Sequence, residues 1–505
     1  MNHQATKHRL GTRNPHVATD SGLSARLHSV NVGVIPERFF ILLSAILVVT
    51  GCSHHLRKVE PWVWPGANRF NTLFFAQAGT RPKPALRYVQ AWEAEWFEAP
   101  ELDPVPVLAH ATHQPLVVDL NHDGEPEIIT SELSFPPHVI LNADGVPLAG
   151  RTRNGTDWDR IQSDSARIVA DDSAGWVMLP KLALAPGQSR SSPLAVRLNQ
   201  RVVALQIVLE SRVPFPRRVL ECWDCATGRR DWRYEFGARP DLMAVADLDS
   251  DGKDELLLAT YGEENGAVGN GTQDHDSCYC VALRDDGTLL WQRGFGAHPF
   301  SGCLAGVADL NRDGKPEVFV GYYTWQNDFG GLAVLDGATG RVIAASPGPD
   351  SVPVSHVSVG CADVDGDGRL ELATAVSGRK AEVLLYRLEG NRLAPVARTV
   401  LSRTTDPAVT CECRLHAICD LDGDGKCELV VSRCRKRLIC PDPMFYPSKS
   451  DSCGLSVLGA SLENRQDIPL PVRCQYVTLG DVVPGGNIEM LVVTDRLTLY
   501  STEAN

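Results

Sequence analysis

Short apolar runs, alternating or continuous, flank an acidic turn again and again along this chain. The phrase reads VVDLNHDGEPEII from Val117, VADLDSDGKDELLL from Val245 and VADLNRDGKPEVFV from Val307. It returns as CADVDGDGRLELAT from Cys361 and CDLDGDGKCELVV from Cys419. A sixth copy, LGDVVPGGNIEMLVV from Leu479, keeps the frame but loses most of the acids. Each copy predicts a strand, a tight acidic loop and a second strand, because apolar runs of this length bounded by turn residues are strand signals.

The first acids, Asp119, Asp247, Asp309, Asp363, Asp420 and Asp481, lie 128, 62, 54, 57 and 61 residues apart. The first interval is close to two periods, which predicts a repeat without an acidic loop between Thr130 and Asp241. Further turn signals follow several copies, at Asp144-Gly145, Thr227-Gly228, Asp286-Gly287 and Thr339-Gly340. Trp232 and Trp291 come four residues after two of these glycines. Two hairpins per period of about 60 residues make a four-stranded sheet, the unit of a propeller blade. One such sheet cannot bury both faces alone, so neighbours must stack. The expectation is an all-β, seven-bladed β-propeller of four-stranded antiparallel blades over residues 86–505, with flanking residues supplying the strands that close the ring.

The loops carry the candidate chemistry. In Asp247, Asp249, Asp251, Gly252 and Glu255, side-chain oxygens stand at positions 1, 3, 5 and 9. The Gly at position 6 permits the turn. Calcium takes six to eight such hard oxygen ligands, and magnesium demands a stricter octahedron. The other full sets are Asp119, Asn121, Asp123 and Glu127; Asp309, Asn311, Asp313 and Glu317; Asp363, Asp365, Asp367 and Glu371; and Asp420, Asp422, Asp424 and Glu428. A single acidic turn is as readily a solvated turn, and five in register favour a structural cation, Ca²⁺, at up to five sites. The sixth loop, with Val483 and Gly485 at positions 3 and 5, predicts no metal.

These DxDxDGxxE loops resemble the FG-GAP/VCBS repeats of the integrin alpha-subunit propeller and of many bacterial surface proteins. The resemblance implies loops between the first two strands of each blade, with calcium that holds hairpins shut. The family's Phe-Gly and Gly-Ala-Pro signature is poorly kept, Phe329-Gly330 being one of few traces.

Composition adds location and partners. Phe39 to Gly51 is an uncharged apolar run of thirteen residues, short for a membrane span and fit for a signal-peptide core. It ends Val49-Thr50-Gly51-Cys52, which resembles a bacterial lipobox with Cys52 as the lipidated residue. Residues 1–52 are therefore read as extension and lipoprotein-type signal, and 53–85 as linker. The chain is expected in the cell envelope, lipid-anchored outside a bacterial membrane; a single uncleaved anchor is the alternative. A formal charge of −13 without a basic stripe argues against nucleic acid.

Fifteen cysteines less Cys52 leave an even number, compatible with disulfides. Cys222 and Cys225 have CxxC spacing, with zinc as an alternative to disulfides or buried thiols. Tyr261, Tyr322, Tyr323, Trp325, Phe445, Tyr446 and the basic Arg433, Arg435, Lys436 and Arg437 are expected on loops opposite the acidic turns. There they offer a surface for an extracellular or envelope protein or polysaccharide, or simply pack on one another. His275, His298, His356 and His416 are expected towards that face and have no ligand spacing. No GxSxG, HExxH, Walker-type or CxxCH motif occurs, so a binding or scaffolding module is expected rather than an enzyme. The alternative is a propeller-fold enzyme such as a polysaccharide lyase or quinoprotein-like dehydrogenase.

Overall fold

The computed structural model describes residues 75–76, 79, 87–93, 115–119, 123–131, 138–150, 158, 167–168, 176–177, 188–190, 194–210, 217–262, 268–273, 278–295, 301–324, 330–347, 356–437, 452–483, 487–494 and 496–502. Among them every strand pairing is antiparallel. After β1 (Tyr88–Glu93), a first sheet forms from β2 (Leu116–Val118), β3 (Glu127–Ser131) and β4 (His138–Leu141). A short pair follows, β5 (Arg167–Ile168) with β6 (Trp176–Val177). The second sheet holds β7 (Gln188–Arg190), β8 (Leu194–Leu198), β9 (Arg201–Glu210), β10 (Arg217–Asp224) and β11 (Arg230–Phe236). Here β7 and β8 both pair with β9. This is the repeat expected without an acidic loop, and β8 turns into β9 through Asn199 and Gln200, both at positive φ.

The third sheet is β12 (Arg239–Ala246), β13 (Glu255–Tyr261), β16 (Cys278–Leu283) and β17 (Leu289–Phe295). The ribbon β14 (Val268–Gly269) and β15 (Thr272–Gln273) is inserted before β16. The fourth is β18 (Ser301–Ala308), β19 (Glu317–Thr324), β20 (Gly330–Asp336) and β21 (Val342–Pro347), and a single pairing of Tyr261 on β13 with Gly302 on β18 joins it to the third as one continuous sheet. Then come β22 (His356–Ala362), β23 (Glu371–Ser377), β24 (Lys380–Glu389) and β25 (Arg392–Arg403) in one sheet. The next holds β26 (Val409–Cys419), β27 (Glu428–Arg437), β28 (Ser452–Leu458) and β29 (Asn464–Leu470). The last has β30 (Tyr476–Gly480), β31 (Glu489–Val493) and β32 (Leu497–Thr502), and β1 completes it in the order β1-β32-β31-β30. The closing strand therefore comes from the N-terminal side, as expected.

Alternate residues of each strand feed two apolar layers, one towards each neighbouring sheet. Val383, Leu385 and Ala375 meet Cys413, Leu415 and Val431 of the following sheet. Val359, Leu372 and Leu384 meet Phe319, Leu332 and Val334 of the preceding one. Most telling is the last sheet. Its Val477, Leu479 and Met490 pack on Ala417, Val430 and Val457 behind it. Its Leu491, Leu497 and Leu499 pack on Val117, Ile128 and Leu141 of the first sheet. Thr478 Oγ1 also donates to Pro115 O at 2.7 Å, across 363 residues. A stack of antiparallel sheets in chain order that returns to its start is a β-propeller.

Indole staples join some neighbours. Trp232 Nε1 donates to Asp285 O of the next sheet at 2.8 Å, and Trp291 Nε1 donates to Gly337 O at 2.6 Å. The rings cover turn glycines: a Cβ on Gly287 would lie 2.5 Å from Trp232, and one on Gly340 2.6 Å from Trp291. The turn glycine of one repeat thus receives the tryptophan of the repeat before it.

Candidate functional site

Five acidic loops join the first and second strands of their sheets, where the sequence places them, and share one scaffold of hydrogen bonds. The position-1 aspartate accepts the Gly N–H of position 6, at 3.0 Å for Asp119, Asp247 and Asp309, 2.7 Å for Asp363 and 2.9 Å for Asp420. The position-5 aspartate accepts the next N–H but one, as Asp251 Oδ1 does from Lys253 N at 2.8 Å. The position-6 glycines sit at φ 83 to 90°, which is glycine's region. Position 4 is also left-handed, with Gly366 and Gly423 in two loops but Ser250 and Arg312 in two others.

Position 9 was expected only as a metal ligand, and the structure gives it another duty. Glu255, Glu317, Glu371 and Glu428 are buried, and each accepts the position-2 backbone N–H through Oε2 at 2.8 to 2.9 Å. Glu489 does the same to Val482 N at 2.9 Å in the sixth loop, which lacks the other acids. The glutamate is thus first a clasp between the two strands. Burial pushes Glu255 and Glu317 up to about 7, despite those N–H bonds, and the loop aspartates add like-charge repulsion.

The loops differ in their remaining oxygens. Ligand atoms of Asp247, Asp249 and Asp251 lie within 4.8 Å of one another, as do those of Asp363, Asp365 and Glu371, and of Asp420, Asp422 and Glu428. Carboxylate oxygens so clustered are the donor type that a hard divalent cation takes. In the Asp309 loop the Asn311 amide donates to Glu317 Oε1 at 2.6 Å and to Asp313 at 3.3 Å. Asp119, Asp123 and Glu127 stand in the first sheet's loop; Asn121 lies outside the described residues, as does Cys52. Two loops receive an arginine that the sequence reading missed. Arg387 on β24 pairs with Asp365, Asp367 and Glu371, and Arg465 on β29 with Asp422 and Glu428.

The profile of the FG-GAP-like repeat matches residues 309–374 and 363–431, each match running from one acidic loop into the next repeat. Residues 309–431 carry FG-GAP-like repeats. No curated protein matches it. Among solved structures, the rhamnogalacturonan lyase YesW is similar at 15% identity and a TM-score of 0.33, over 65% of this chain and 73% of that one. The Dos1 propeller is similar at 12% identity and a TM-score of 0.32, over 62% and 79%.

The first strands of three sheets hold a polar group that sequence reasoning also missed. The Arg414 guanidinium on β26 lies 5.6 Å from the Tyr476 ring centre on β30 and donates to Gln475 O at 3.3 Å. Arg473 pairs with Glu412 at 2.9 Å. Burial pushes Asp241 of β12 up to about 7, with Arg239 pulling the other way. No motif marks these residues, because they come from three separate stretches, around β12, β26 and β30.

Several expected surface aromatics are instead packing groups. Tyr322 stacks on Phe295 of the preceding sheet at 5.1 Å between ring centres, and burial raises Tyr323 above its ordinary value. Arg433 is held by Asp467 at 3.3 Å and Ser456 at 3.1 Å, while Arg435 is exposed. His416 is buried on Ser432 at 2.8 Å. Trp325, Phe445, Tyr446, His275 and His298 lie outside the described residues.

Of the cysteines, Cys434 and Cys453 face each other on β27 and β28 and form a disulfide. Burial pushes the Cys222 and Cys225 thiols up to about 12 and about 11.

Proposed function

We propose that this chain is an exported, calcium-stabilised, seven-bladed propeller, lipid-anchored through Cys52, that binds an envelope or extracellular protein or polysaccharide. Calcium is the part with the firmest footing, and one observation carries it. Carboxylate oxygens of Asp247, Asp249 and Asp251 lie within 4.8 Å of one another, and the same three acids act on Glu255, a carboxyl that burial pushes up and their charge raises further. A divalent ion there relieves the repulsion and bolts β12 to β13. The Cys434–Cys453 disulfide suits an oxidising compartment.

For the binding role, the support is the polar group of Asp241, Arg414 and Tyr476, carried on the first strands of three sheets, with Asp241 and Arg414 both acting electrostatically on Tyr476. Its guanidinium and hydroxyl chemistry suits a carboxylated sugar or an acidic protein loop. Saturation at one hundred times the dissociation constant adds about 2.7 kcal/mol per site, so chelation is expected to lower the melting temperature. An unchanged melt in excess chelator removes the calcium reading. Glycan-array binding with and without calcium, repeated with Arg414→Ala, tests the other half. Turnover of a polysaccharide in place of saturable binding would favour a lyase.

A further inference from the structure

We propose that Arg387 and Arg465 are tethered cations that stand in for a metal in the loops at Asp363 and Asp420, leaving divalent ions to the loops without such an arginine. The proposal rests on the calcium reading of the loops above, and it divides that reading between them.

Each loop carboxylate has two oxygens. In the Asp363 loop one oxygen of each acid at positions 3, 5 and 9 serves the backbone: Asp365 Oδ1 accepts Asp367 N at 3.2 Å, Asp367 Oδ1 accepts Arg369 N at 2.8 Å, and Glu371 Oε2 accepts Val364 N at 2.9 Å. The second oxygen of all three goes to one guanidinium. Arg387 reaches Asp365 Oδ2 at 2.8 Å and Asp367 Oδ2 at 2.9 Å, and its Nε bonds Glu371 Oε1. These are positions 3, 5 and 9, the oxygens a calcium ion would need at about 2.3–2.6 Å. An ion sharing them would lie within a few ångströms of a second positive charge, so the two cations exclude each other.

The Asp420 loop reaches the same end by another route. Asp422 Oδ1 accepts Asp424 N at 3.2 Å and Glu428 Oε2 accepts Leu421 N at 2.8 Å. Arg465 then holds Asp422 Oδ2 at 2.9 Å and bonds Glu428 Oε1. This arginine comes from the fourth strand of its sheet, Arg387 from the third. Both side chains are largely withdrawn from water, with 14 and 15% exposed. A guanidinium so placed is a fixed component of the loop rather than a surface charge.

The Asp247 loop supplies the contrast. Arg284 stands three residues before its turn glycine, as Arg387 does before Gly390. It comes no closer than 3.9 Å to Asp249 and is 41% exposed. Among the described residues no arginine pairs with Asp309, Asp313 or Glu317.

Native mass spectrometry of the full chain, stripped of metal and titrated with Ca²⁺, tests the division. Wild type is expected to hold at most three ions. Asp249→Asn removes one, whereas Asp365→Asn and Asp422→Asn leave the count unchanged. Arg387→Ala and Arg465→Ala each add one ion, and each variant's melting temperature, lowered in chelator, recovers with calcium. If the alanine variants do not fold, Arg387→Gln and the two asparagine variants give the same readout. Five ions on wild type, a loss on Asp365→Asn, or no gain in a folded arginine variant overturns the proposal. No ion on wild type with one gained by Arg387→Ala would sink the calcium reading and leave the arginine assignment standing.

Discussion

Gly252 offers a clean measure of what the turn demands of its backbone. Its φ is +87°, and a Cβ placed there would meet nothing within 4 Å. Gly252→Ala should therefore destabilise by backbone strain alone, about 1–2 kcal/mol in denaturant unfolding; an unchanged midpoint would mean the loop relaxes freely. Glu489 separates the clasp from any metal, since its loop has lost the other acids. Burial raises it to about 8 from 4.5, against its N–H bonds from Val483 and Val482. The folded chain thus keeps a proton that the unfolded chain releases, and this contribution is complete below pH 4.5 and lost as pH climbs towards 8. Glu489→Gln should gain on wild type across that window in urea unfolding, and parallel curves would refute the assignment. Positions 1, 5 and 6 were readable from the repeat because spacing alone sets their geometry. The glutamate's clasp was not, since a carboxylate in a sequence looks the same whether it faces an ion or a backbone N–H.

Hairpins and sheets were the most legible part of the chain. The apolar runs around Asp247, Asp309, Asp363 and Asp420 became strand pairs in the expected register of loop and strand, and the silent repeat before Asp241 became the sheet of β8 to β11. What joins one sheet to another was harder to read. Trp291 was visible four residues after a turn glycine, but its acceptor, Gly337, lies 46 residues on, in another sheet. Trp291→Ala should cost about 3–5 kcal/mol, as large buried aromatics do, because it removes both the ring over Gly340 and the indole bond. A loss below 1 kcal/mol would show that the neighbouring sheets close without it. The loop arginines escaped for the same reason: Arg387 is 16 residues from Glu371 and Arg465 is 37 from Glu428, distances at which sequence gives no hint of contact.

The propeller closes through a strand borrowed from the far end of the chain. Tyr88 pairs with Thr502 in register, and its buried hydroxyl donates to Ile488 O at 2.8 Å across 400 residues. Deleting residues 1–93 should leave the individual sheets strand-rich by circular dichroism while lowering the melting temperature and broadening the transition, as the final sheet loses its outer strand. A deletion variant that melts like wild type would contradict this account. The closure also orders events during synthesis. Every other sheet can assemble as its own stretch leaves the ribosome, but β1 must wait, unpaired, until β32 has been made. A nascent chain stalled anywhere before β32 therefore carries a lone sticky edge at β1, where a chaperone or a misplaced strand has the longest time to find it.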